Sequence, residues 1–274
     1  MTDAPSWSAL LDAQVDAALA VLGLMVGLWL VSLWLRDVSI VDSFWGPAFV
    51  LAAWIHRAHG PDASPIQWLH LALVTVWGLR LAIHIASRHA AVGEEDYRYR
   101  TMRQKVGKAF AWRSLFTVFL LQGVLVILIS TPLLVVQAQE RTTAWTLLDL
   151  VAIGVWLIGF AFEAGGDWQL RRFRDDPANK GRVLDTGFWR YSRHPNYFGD
   201  AAQWWAYGLF ALGSPGGPWT LASVFLMTFF LLKVSGVTLL ERTITKRRPA
   251  YQRYIETTPA FVPWFPKQRG RHDS

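Results

Sequence analysis

The densest run of residues able to do chemistry lies between Asp167 and Asp200, where the chain reads DWQLRRFRDDPANKGRVLDTGFWRYSRHPNYFGD. Glu163, Asp167, Arg171 and Arg174 follow at intervals of four, four and three residues. On a helix that spacing puts two carboxylates and two guanidiniums on one face. Arginine forks bind phosphate oxygens bidentately, Asn196 can hydrogen-bond an amide or a ribose, and the aromatics around Tyr197 can stack on a ring. With Arg182, Arg193 and His194, the segment suits an anionic cofactor. The same composition also suits a loop held beside anionic lipid, and charge alone does not separate the two.

Three further polar stripes stand out against apolar surroundings. Trp77, Arg80, His84 and Arg88 are spaced three, four and four apart, Asn196, Asp200, Gln203 and Tyr207 form a second stripe, and Lys233 and Glu241 lie eight apart. Asp42 stands at the start of an apolar run. Ionisable residues inside a membrane span are costly and mark functional sites by default. The plainer reading makes them interhelical pairs, or end charges that snorkel to the interface. Arg88, Lys233 and Glu241 lean that way, and His84 alone reads as a packed interhelical residue. Convergence of the stripes on one cavity open to the cytoplasm accounts for all of them together.

The elements that must carry these residues are membrane helices. Of 274 residues, 53% are hydrophobic, only 17% are charged, and 16 are Trp, a residue that concentrates at membrane interfaces. Mean hydropathy is +0.23. A bilayer core of about 30 Å needs roughly 20 apolar residues as helix. Seven such runs are expected, at about 15–35, 40–57, 66–87, 110–136, 144–165, 197–213 and 218–240. Lys and Arg crowd every second connection and the C-terminal tail, which predicts an outside N-terminus and a cytoplasmic C-terminus.

The acidic N-terminus, MTDAPSWSALLDAQVDA, lacks the basic start of a secretory signal and reads as a leading tail. No half repeats the other, which weakens an inverted-repeat transporter. One domain over 1–274 is expected, with substrate-side helices at about 15–136 and a cofactor-binding part at about 144–266. The expected fold class is all-α: a polytopic, monomeric membrane protein of a bacterial inner membrane, with its cofactor site facing the cytoplasm.

Several chemistries are set aside. With no Cys, disulfides, thiolate metal sites and a Cys nucleophile are excluded. His56 with His59, and His84 with His89, lack the carboxylates and spacing of a metal site. The net charge of +7 is dispersed between apolar runs and does not form a nucleic-acid patch. Lys246, Arg247 and Arg248, followed by Tyr251 and Tyr254, read as an interfacial amphipathic helix that covers the cofactor.

Four stretches carry a resemblance: WGLRLAIHIASR from Trp77, EEDYRYRTMR from Glu94, GRVLDTGFWRYSRHPNYFGD from Gly181, and LLERTITKRRPAYQRYIETTPAFVPWFP from Leu239. Together they resemble the membrane steroid 5α-reductase superfamily, in particular its bacterial DUF1295-type branch. The resemblance implies seven helices, cytoplasmic NADPH, and reduction of a carbon–carbon double bond conjugated to a carbonyl in a steroid-like or isoprenoid lipid. It puts Arg80, Asp167, Arg171, Arg174, Arg182 and Asn196 at NADPH contacts, with Tyr97, Arg98 and Arg103 in the loop motif. Asp200 stands where the family has a Glu near the nicotinamide end. Arg193, His194, Tyr197 and Glu241 complete the expected cofactor set.

Two departures touch the substrate. Where the steroid enzymes hold the carbonyl with a Gln-Glu pair and a Tyr, this chain has Val41-Asp42 and, near the Tyr position, Trp77. The expected catalytic groups are therefore Asp42 as a protonated acid, Trp77 as an indole donor and His84 as an assistant. A second function stays open: an S-adenosylmethionine-dependent methyltransferase of the isoprenylcysteine type, which resembles the chain from Arg193 to Gly199 and at Glu241. That cofactor has no phosphates to occupy the arginines. A third is a non-enzymatic lipid-binding or transport protein.

Overall fold

Apolar runs of this length leave the backbone one way to satisfy its polar groups without water, which is to form helix. A computed structural model describes residues 7–140, 144–234, 237, 241 and 250–267, and among them all regular structure is helical. The helices are α1 (Trp7–Leu35), α2 (Ile40–Ser43), α3 (Trp45–His59), α4 (Pro65–Val92), α5 (Tyr97–Val106), α6 (Phe110–Ser114), α7 (Leu121–Ile129), α8 (Thr131–Gln137), α9 (Leu147–Asp175), α10 (Pro195–Leu212), α11 (Leu221–Phe229) and α12 (Ala250–Thr257).

Helix α1 shows the distribution of a membrane helix. Its buried stripe runs through Ala13, Ala17, Val21 and Met25, while Leu11, Val15, Leu19, Leu30 and Trp34 face outward. Water-soluble monomers rarely expose apolar surface on this scale. Among the described residues, five helical stretches are long and apolar enough to cross a membrane: Trp7–Leu35, Pro65–Val92, Tyr97–Ile129, Leu147–Asp175 and Gly217–Val234.

The other two expected spans are helical but shorter or more polar. The 15 residues of α3 rise only about 22 Å, less than the hydrocarbon core. Helix α10 has 18 residues and carries Asn196, Asp200 and Gln203. The run expected at 110–136 is interrupted. A π-helical stretch occupies Leu115–Leu120, and the helix breaks at Ser130, just before Pro132, whose ring cannot continue it.

By compactness the chain divides into two units. The first comprises Met1–Asp149 with Phe210–Ser223, and the second Leu150–Leu209 with Val224–Ser274. In the first, α3 packs against α1, α4, α7 and α8. Helices α3 and α4 touch through Gly46 and Gly78, where a Cβ on Gly46 would lie 2.9 Å from the Gly78 Cα. Such small-residue crossings let membrane helices approach backbone to backbone. Helix α4 opens on a capping box, with the Ser64 hydroxyl accepting from the Gln67 amide and the Gln67 side chain accepting from Ser64 N.

The C-terminal carbonyls of α8 cannot rely on water, and buried side chains meet them instead. Arg57 Nη1 donates to Gln137 O at 2.9 Å, and Gln67 Nε2 donates to Val136 O and Gln139 O, both at 2.9 Å.

Candidate functional site

The second unit brings the two most polar helix faces together. A Cβ on Gly199 would sit 2.8 Å from the Glu163 Cα, and one on Gly159 would sit 2.7 Å from Gly199 O, so only glycine permits this α9–α10 approach. The contact aligns three antiparallel rungs. Trp156 Nε1 donates to Tyr207 OH at 3.0 Å, Gln203 Nε2 to Glu163 Oε2 at 2.6 Å, and Asn196 Nδ2 to Asp167 Oδ1 at 3.0 Å. Glu163, Asp167, Asp200, Gln203 and Tyr207 are all buried.

The last rung fixes an amide orientation. Because Asp167 takes the Asn196 amino group, Asn196 Oδ1 is left a buried acceptor with no hydrogen-bond partner among the described residues. One and two turns further along α9, Arg171 and Arg174 are exposed, as is Arg182 on the following loop. That loop folds back on α9: Phe188 N donates to Gln169 Oε1 at 3.0 Å, and Trp189 Nε1 donates to Gly166 O at 3.0 Å. A buried acceptor therefore sits on the same helix pair as an exposed guanidinium edge.

Arg193 and His194 lead elsewhere. Arg193 Nε donates to Glu241 at 2.7 Å, Nη1 to Ile255 O at 3.0 Å and also to Thr258 O, and the backbone N–H to Pro259 O at 2.9 Å. His194 Nε2 lies 3.2 Å from the same carboxylate, and the Tyr197 ring lies beside the imidazole. Burial alone would push the Glu241 carboxyl up, but the hydrogen bonds from His194 and Arg193 outweigh it and hold it at about 2. Tyr254 OH closes the clamp by donating to Trp189 O, with Ser192 O 3.2 Å away.

The expected substrate-side residues lie in the first unit. Asp42 Oδ2 accepts from Arg98 Nη2 at 2.7 Å, and Asp42 Oδ1 accepts from Tyr99 OH at 2.7 Å. Gln122 Nε2 is 3.5 Å from both Asp42 Oδ1 and Tyr99 OH. In this arrangement Asp42 accepts from both neighbours, and the Tyr99 hydroxyl is the donor of the pair. Sequence reasoning missed Tyr99 and Gln122. It took 88–109 for a connection, whereas α5 begins at Tyr97, and helical geometry exposes Tyr97 while burying Tyr99.

The motif around them docks locally. Val38 N donates to Glu95 at 2.9 Å, Asp96 N donates to Ser39 Oγ at 2.6 Å, and Arg103 pairs with Glu95 at 2.7 Å. Trp77 is fully buried, its ring 5.8 Å from that of Phe49. Arg80 and His84 share the expected α4 face and are half-buried.

Long apolar helices carrying buried carboxylates and amides define a polytopic membrane protein with a polar seam between α9 and α10. The chain belongs to the family described as "Protein of unknown function (DUF1295)", whose model matches residues 28–258. It is also 25% identical, over 89% of its length and 77% of the relative's, to an uncharacterized protein of Schizosaccharomyces pombe. No solved structure matches the chain.

Proposed function

We propose that the chain is an NADPH-dependent membrane reductase acting on a carbon–carbon double bond conjugated to a carbonyl in a steroid-like or isoprenoid lipid. The DUF1295 family is associated with steroid 5α-reductase-like proteins. The observation that carries the reading is the α9–α10 seam, where the buried acceptor Asn196 Oδ1 accompanies exposed Arg171, Arg174 and Arg182. These residues fit a phosphorylated nicotinamide nucleotide: guanidiniums for phosphates, and an amide oxygen for a carboxamide or ribose donor.

NADPH, when bound, supplies a hydride to the β-carbon of the alkene. Arg171, Arg174 and Arg182 would hold its charge, and Asp167 would keep Asn196 turned to accept. On the substrate side the proposal retains Asp42, Trp77 and His84, and adds Tyr99 as the donor in the Asp42 cluster. The chain would span an inner bacterial membrane seven times as a monomer, N-terminus outside, with the seam's basic end in the cytoplasm.

Thermal-shift titration of the detergent-solubilised protein with NADPH and with S-adenosylmethionine tests the reading. NADPH should raise the melting temperature, and Arg174→Ala should weaken the effect. A protein stabilised by S-adenosylmethionine alone would reverse the assignment in favour of the methyltransferase. One observation favours that second reading: Arg193, His194 and Glu241, which carry that resemblance, do converge.

A further inference from the structure

We propose that the segment 259–267 of the second unit seats its exposed apolar side chains in an anionic membrane surface, as an anchor outside the spans. Val262, Trp264 and Phe265 are 62%, 70% and 71% exposed. Outward apolar residues are expected on the spans, where lipid tails cover them. This segment comes after the last candidate span among the described residues, Gly217–Val234, and a surface facing water rarely carries such a cluster. The backbone beneath these side chains is pinned. Trp264 N donates to Tyr191 O and Lys267 N to Thr257 O, both at 2.9 Å, and Phe261 O accepts from Ser192 Oγ at 2.8 Å. The Phe261 ring meets that of Phe198, 6.0 Å away, while Val262, Trp264 and Phe265 remain outside.

Two bounds set the depth. The backbone from Pro259 to Lys267 is neither helix nor strand, and Pro259, Pro263 and Pro266 keep it from becoming helix. Irregular backbone that faces lipid does not enter the hydrocarbon, whereas Val, Trp and Phe side chains gain by leaving water. The headgroup level satisfies both, and it is where Trp concentrates. Charge then selects the lipid. The Phe265 ring lies 5.9 Å from that of Tyr191, and the exposed Arg190 guanidinium lies 6.0 Å from the centre of the same Tyr191 ring. Lys267, also exposed, ends the segment, and in sequence the run 262–271 holds three cations and no acid. Anionic headgroups therefore meet cations beside the apolar patch. The backbone N–H of Arg193 donates to Pro259 O at 2.9 Å, so a seated segment also steadies the entry to α10.

The chain has no Cys, so Phe265→Cys in the full-length protein takes an environment-sensitive fluorophore at one place. The labelled protein is placed in nanodiscs of phosphatidylglycerol mixed with phosphatidylcholine, and of phosphatidylcholine alone. In the anionic discs the emission should lie well to the blue of the same dye in water. A lipid nitroxide near the headgroup should quench it several-fold more than one at the end of the acyl chain. The blue shift should shrink in phosphatidylcholine alone and at high salt. Arg190→Gln combined with Lys267→Gln should abolish the difference between the lipids, each charge being worth about five-fold in the seated population. Val262→Cys repeats the measurement should the first variant not fold. Water-like emission in the anionic discs, or emission indifferent to lipid charge, overturns the proposal. So does a blue shift that grows with protein concentration in uncharged detergent, which would make a second copy the occupant. Stronger quenching from the end of the acyl chain overturns it as well, by burying the segment in hydrocarbon. None of these outcomes depends on NADPH binding.

Discussion

Replacing Gly199 with Ala tests whether the α9–α10 seam is built by backbone contact. The new Cβ would lie 2.8 Å from the Glu163 Cα and closer still to Glu163 N and Gly159 O, all of them backbone atoms that no rotamer change can move. Ordinary contact begins near 3.4 Å, so the helices must separate by roughly half an ångström or more. The Asn196–Asp167 rung, already 3.0 Å, passes the limit of a hydrogen bond first, while the 2.6 Å Gln203–Glu163 rung stretches and survives. Overpacking costs about 1–3 kcal/mol and the broken buried bond about as much again. A total near 3 kcal/mol lowers the melting temperature by about 6–12 °C in a chain of this size. Gly154 on α9 supplies the control, since a Cβ there meets nothing within 4 Å. Gly154→Ala should be neutral or gain up to about 1 kcal/mol of helix propensity. The assay is a tryptophan-fluorescence melt in detergent, read beside NADPH affinity, which should fall only for Gly199→Ala. Equal melts for the two variants would refute the close approach and, with it, the orientation argued for Asn196.

Glu241 should impose a low-pH step on the C-terminal clamp. Its carboxyl is held at about 2 against an ordinary 4.5, so its stabilisation is complete above about 4.5 and disappears as pH falls towards 2. Proteolysis of the segment after α11 should quicken between pH 5 and pH 3, by up to roughly 2–3 kcal/mol in opening free energy. Glu241→Gln should remove the step. Tyr99→Phe takes one of two close donors from Asp42 and should cost about 1–2 kcal/mol in a melt, whereas Tyr97→Phe, at an exposed position, should cost nothing measurable. Under the proposed function, Tyr99→Phe slows turnover while leaving NADPH affinity intact. Arg171→Ala and Arg174→Ala should each weaken NADPH roughly ten-fold, less so at high salt, with no effect on S-adenosylmethionine.

Length and hydropathy made most of the fold legible. The runs at 15–35, 66–87 and 144–165 became α1, α4 and α9 because about 20 apolar residues leave little alternative to a membrane helix. Their ends were less legible: α9 continues through its charged residues to Asp175, since Arg171, Arg172 and Arg174 propagate a helix about as well as Leu does. The run at 110–136 contained Pro132, a visible breaker, but hydropathy averaged over it. Partnership between helices was not legible at all. Spacing places Asp167 and Asn196 each on a face, but only an antiparallel approach through Gly159 and Gly199 makes them a pair. Tyr99 stayed hidden for a related reason, because a residue read as loop has no face.

The same limit separates two kinds of arginine that look alike along the chain. Arg174 and Arg193 both belong to a basic, aromatic segment, and positive-inside charge, anionic lipid and a nucleotide explain each equally well. The surroundings differ. Arg193 is 7% exposed and directs Nε to Glu241 and Nη1 to two carbonyls, so its fork is committed to the chain itself. A phosphate competing for it would have to leave Glu241, half-buried beside His194, with a weaker partner, a costly exchange. Arg171, Arg174 and Arg182 are exposed, so turning a fork to a ligand costs less there than breaking a buried ion pair. If a dinucleotide binds, its charge is therefore met along α9 and the loop after it. Arg193→Ala should then act through the stability of the C-terminal segment, and Arg174→Ala through affinity.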